Sequence, residues 1–160
     1  MMELAPSLTV QLISCTIACV GFAVWFQVKG RQILFAGIGA FLTWLVYALL
    51  YELRPSNFLA TLTAAVFVAA YAQIMARVNK APATIFLTAS VFPLVPGPNL
   101  YYMMYGIVME DYTMARSEAL TLVLTCLGIA LGFMVVEIIN KYVMLFLRHR
   151  SGGNLAISDR

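Results

Sequence analysis

Charge is what this sequence has least of. Only 11% of its 160 residues are Asp, Glu, Lys or Arg, where a soluble domain carries roughly a quarter. The mean hydropathy is +0.90, and no polar stretch is long enough to form a separate soluble domain. The single histidine, His149, lies among arginines near the C-terminal end and reads as solvated. The three cysteines, Cys15, Cys19 and Cys126, all fall in apolar stretches. Cys15 and Cys19 are one helical turn apart, but with no third ligand nearby they read as small buried hydrophobes. No metal or other cofactor is expected. The net charge of +3 is spread along the chain, which leaves no nucleic-acid footprint. No acid pair or nucleophile–base pair sits in the apolar stretches, which argues against an intramembrane enzyme. What is abundant is apolar: 62% of the chain, in runs long enough to cross a bilayer.

Stretches of about twenty apolar residues without charge predict five spans, at 8–28, 33–51, 58–76, 83–109 and 119–139. Glu3 stands where a cleaved signal would need positive charge, so the first stretch is expected to remain as a span. The fold class is therefore all-α: one polytopic transmembrane domain over 1–150, with a disordered cytoplasmic tail over 151–160. Five crossings put Lys29, Arg31, Arg77, Lys80, Lys141, Arg148, Arg150 and Arg160 on one side and only Arg54 and Arg116 on the other. The positive-inside bias then predicts an inner-membrane protein with its N-terminus outside and C-terminus in the cytoplasm. A re-entrant fourth segment would spoil this alternation. Gly128 and Gly132 form a G-x-x-x-G, and 60–76 is rich in alanines four apart. Small residues at that spacing let helix backbones approach in lipid. Packing within the chain and packing on a partner, a second copy included, both fit.

The fourth stretch is interrupted by Pro93-Leu94-Val95-Pro96-Gly97-Pro98. Three prolines and a glycine within six residues break a helix, because proline lacks an N–H and clashes one turn back. Broken backbone at membrane depth persists only where protein buries it or water reaches it, and transporters bind substrate at such breaks. Pro93, Pro96, Gly97 and Asn99 are therefore the candidate substrate-binding residues, with Asn99 as N-cap of the second half. A substrate carboxylate would sit at that half's N-terminus and an ammonium group at the carbonyls of the first half. Tyr101 and Tyr102 fit either a cavity wall or an aromatic packing surface. Gln73, Arg77 and Glu137 are candidates for the substrate path or for helix contacts. Glu137 has Lys141 four residues on, the favourable order for an ion pair. With no other acid inside a span, proton coupling is expected to rely on a partner subunit.

Several short stretches, the proline segment among them, carry a resemblance. Residues 21–28 (GFAVWFQV) with Leu34 and 37–41 (GIGAF), then 76–84 (ARVNKAPAT) and 93–97 (PLVPG), resemble the short membrane subunit of the threonine/serine exporter family over about residues 15–135. Pro98 departs from the motif. The resemblance implies export of small polar metabolites, threonine and serine in some members and dicarboxylates such as succinate in others. It also implies a larger partner subunit with a cytoplasmic domain that this chain lacks. No nucleotide-binding motif is present, so an ion or proton gradient is the expected drive. A non-transporting scaffold subunit is the rival reading.

Overall fold

A computed structural model of the chain describes residues 8–28, 30–53 and 55–155. Lys29, Arg54 and Arg160, three of the charges used to orient the chain, lie outside the described residues. The described residues form α1 (Leu8–Trp25), α2 (Arg31–Leu53), α3 (Asn57–Asn79), α4 (Ala83–Val91), a 3-10 turn (Phe92–Leu94), α5 (Gly97–Val108) and α6 (Tyr112–Leu155). The chain is all-α, as its hydropathy predicts. Arg31–Leu53, Asn57–Asn79 and Tyr112–Phe146 are each long and apolar enough to cross a membrane. Ala83–Leu94 and Gly97–Val108 qualify as a bent pair, with 50° between them. α1 has 18 residues, a rise of about 27 Å, at the short end for a span.

The helix ends follow from local chemistry. α1 closes when Gln27 turns left-handed (φ 56) and the Val28 N–H reaches back to the Ala23 carbonyl at 3.0 Å. α3 and α5 end in the same way, with Lys80 (φ 50) and Glu110 (φ 59) in the left-handed position. There, Ala81 N–H donates to Ala76 and Asp111 N–H to Gly106. These are the wrap-around bonds that satisfy terminal carbonyls. α6 starts at a well-formed cap, since the Asp111 carboxylate accepts the Met114 N–H at 3.1 Å and the Thr113 hydroxyl at 2.6 Å. These bonds hold the Asp111 carboxyl below its ordinary range. α6 runs to Leu155, well past the predicted 119–139 and into the expected tail, whose residues 156–160 lie outside the described residues. Its 44 residues rise about 66 Å, twice the thickness of a bilayer core.

Packing follows the small residues. Gly132 lies so close to α3 that an added Cβ would stand 2.6 Å from Ala65 Cβ and 3.0 Å from the Leu62 carbonyl. Gly128 meets Phe58 and Thr61 in the same seam. Both glycines of the G-x-x-x-G thus pack within the chain. Ala64, Ala65 and Val68 of α3 bury Leu94 of the turn, and Ala23, Ala36 and Ala89 join α1, α2 and α4. Buried polar groups tie helices together, with the Tyr71 hydroxyl donating to the Phe35 carbonyl at 2.7 Å and Ser90 to Ala36 at 3.1 Å. One directional fact emerges from these pairings. Phe58 and Thr61 face Gly128, Ala65 faces Gly132, and Arg77 bonds Asn140, so α3 and α6 run the same way.

Candidate functional site

The proline segment folds in three steps. Pro93 enters the 3-10 turn, where Val95 N–H donates to the Phe92 carbonyl at 3.1 Å. Pro96 precedes α5, and Gly97 N–H bonds the Val95 carbonyl at 2.8 Å. Pro98 then falls in the first turn of α5, where its missing N–H costs nothing because first-turn donors are unpaired anyway. Having no N–H, Pro93 and Pro98 leave the Ala89 and Leu94 carbonyls without the donor four residues on. Gly97 has a separate reason to be glycine. It is helical and precedes proline, a conformation that a Cβ disfavours, although a Cβ there would meet nothing else within 4 Å.

The break borders a 540 Å³ cavity. Pro93, Pro96, Pro98 and Asn99 form one wall. The others carry Gln11 and Ser14 of α1, Trp44 and Tyr47 of α2, Asn57 and Thr61 of α3, and Thr125 of α6. None of the described residues that line it is charged. Two of its donors have no hydrogen-bond partner among the described residues. Thr61 is 1% exposed, and its hydroxyl makes no hydrogen bond among the described residues. The indole Nε1 of Trp44 is buried without a partner among the described residues. Buried donors are rarely left unmade, and each such group calls for a ligand or a water. By contrast the Thr125 hydroxyl is committed to the Thr121 carbonyl at 2.8 Å. A larger hollow of 780 Å³ lies between α1 and α2, but it is apolar, and its one hydroxyl, Thr16, is spent on the Leu12 carbonyl. Between bilayer-facing helices such a groove suits an acyl chain, not a polar solute.

Of the residues singled out from the sequence, Pro93, Pro96 and Asn99 line the cavity. Gly97, Tyr101 and Tyr102 do not. Tyr101 is 64% exposed and stacks with Tyr105, centroids 6.3 Å apart, so the three tyrosines form an outward aromatic surface on α5. Asn99 is not an N-cap. Pro96 holds that position, while Asn99 is the third residue of α5 and donates from Nδ2 to Glu118 Oε2 at 2.8 Å. The remaining candidates gather elsewhere. Gln73 accepts from Asn140 at 3.1 Å, and Asn140 in turn accepts from Arg77. Gln73 is twelve residues, about 18 Å, along α3 from Thr61. Glu137 is exposed at a small hollow beside Gln73, and no ion pair with Lys141 forms among the described residues. The two are one turn apart and both are exposed, so nothing packed around them holds the side chains together. Trp44, Asn57, Thr61, Thr125, Glu118 and Asn140 were not signalled by the sequence.

A family model described as Threonine/Serine exporter, ThrE matches residues 11–139, a range that contains every residue lining the cavity except Val10. No match is found among curated proteins or among solved structures.

Proposed function

Because the chain belongs to the threonine/serine exporter family and is a multi-pass membrane transporter of that type, we propose that it carries serine or threonine through the cavity beside the proline break. It acts with a larger subunit that bears a cytoplasmic domain. The observation that carries this reading is the cavity's lining: freed backbone, hydroxyls, amides and an indole N–H without a partner, with no charge among the described residues. A zwitterion of small size suits such a wall. A dicarboxylate needs cations to offset two desolvated negative charges, and the described residues of the lining supply none, which favours the amino acid over succinate-type substrates.

Five crossings are part of the proposal. α3 and α6 run in the same direction, so an odd number of crossings joins them. The bent pair then makes one net crossing rather than re-entering. With α1 as the first span, the N-terminus is outside and the C-terminus cytoplasmic.

The test is efflux from cells loaded with a serine- or threonine-containing dipeptide, expressing the chain alone and with its larger partner. Export that requires both chains and is lost in Thr61→Val at unchanged membrane level is the expected result. Export indifferent to Thr61→Val and Trp44→Phe would remove the cavity from the pathway.

A further inference from the structure

Glu118 stands one layer behind the cavity. It is half-buried on α6, does not line the cavity, and accepts the Asn99 amide at 2.8 Å. A carboxamide has one donor side and one acceptor side. With one N–H of its NH₂ bonded to a carboxylate, Asn99 has its carbonyl oxygen turned away from Glu118 and free to accept from other partners. The bond to an ionised acceptor is also the strong, orienting kind. Glu118 therefore fixes which face of Asn99 the cavity meets and adds negative potential behind it. It also puts the chain's own carboxylate beside the first turn of α5, the place where a substrate carboxylate was expected to go.

We propose that Glu118 is a positioning residue that, through Asn99, makes the cavity select substrates carrying an ammonium group. The inference rests on the cavity being the export site. The substrate then lies with its ammonium towards the Asn99 carbonyl oxygen and its carboxylate towards the Trp44 indole N–H and the Thr61 hydroxyl. This reverses the polarity that the helix ends alone suggest.

L-Serine and glycerate share a skeleton and differ in an ammonium against a hydroxyl, which makes them the probes. Both are measured as competing substrates in membrane vesicles containing the chain and its larger partner. Glu118→Gln is expected to raise the KM for serine about tenfold with kcat little changed, and to leave glycerate within about twofold. Combining it with Asn99→Ala should add nothing to the loss in Asn99→Ala alone, because both act through one group. Should Glu118→Gln fail to reach the membrane, Asn99→Ala reads the same serine-to-glycerate ratio. Equal losses for both probes, or additive losses in the double variant, would overturn the inference. If Thr61→Val and Trp44→Phe impair serine transport while Glu118→Gln leaves the ratio unchanged, only this inference falls. If none of these variants affects transport, the export-site reading falls with it.

Discussion

Trp44 separates the cost of an empty site from the gain on filling it. Its buried Nε1 has no partner among the described residues, and an unmade buried hydrogen bond costs about 1–3 kcal/mol. Trp44→Phe keeps a ring beside Tyr47 but removes the donor. The substrate-free protein is expected to melt no lower than wild type, while the KM for serine rises several-fold. A lower melting temperature with unchanged KM would make Trp44 a packing residue only. Asp111 gives a pH-dependent counterpart outside the membrane-spanning segments. Its carboxyl is held below the ordinary value of 3.8 by the Thr113 hydroxyl and the Met114 N–H. Because the folded pKa is depressed, the cap contributes fully above 3.8 and is lost as pH falls through the folded value. The difference in melting temperature between wild type and Asp111→Ala should therefore be present at neutral pH and shrink below 3.8. A constant difference would mean the charge is irrelevant to the cap.

At the scale of elements, close approach rather than hydropathy sets the tolerance to change. A side chain at Gly132 must push α6 off the α3 backbone. Gly132→Val is expected to cost about 1–3 kcal/mol as overpacking, seen as a lower melting temperature in detergent. Gly21→Ala, with nothing within 4 Å of the new Cβ, serves as the neutral control. If the two behave alike, the α3–α6 seam is looser than described. The helices themselves were legible in the sequence, because long apolar runs have few other solutions in lipid. α2 and α3 match their predicted spans to within three residues at each end. α6 was read too short because Arg116 and Glu118 before the predicted span and Lys141 after it interrupt the hydropathy without interrupting the helix. The break was legible because proline acts through local sterics. The cavity was not. Thr61 looks in sequence like Thr43 and Thr88, whose hydroxyls bond their own helix at 2.7 Å, and only packing shows which hydroxyl is left free. Glu118 likewise gives no local signal in the sequence, since its bond to Asn99 forms only where α5 and α6 lie side by side.

For the whole molecule, the shared direction of α3 and α6 is the main constraint. It leads to the prediction that the α3–α4 turn and the α5–α6 turn lie on opposite sides of the membrane. In a chain without its native cysteines, Glu110→Cys should react with an impermeant thiol reagent added outside, and Lys80→Cys only after permeabilisation. Labelling of both from one side would restore a re-entrant segment. The central claim is that the polar cavity beside the break is where an amino acid binds, and Cys15 lines that cavity. The most direct measurement is the rate of Cys15 alkylation in a Cys19→Ala, Cys126→Ser chain assembled with its larger partner, with and without substrate. L-Serine is expected to slow the reaction in a saturable way, and succinate is expected to leave it unchanged. Alkylation at the same rate with saturating serine would contradict that claim.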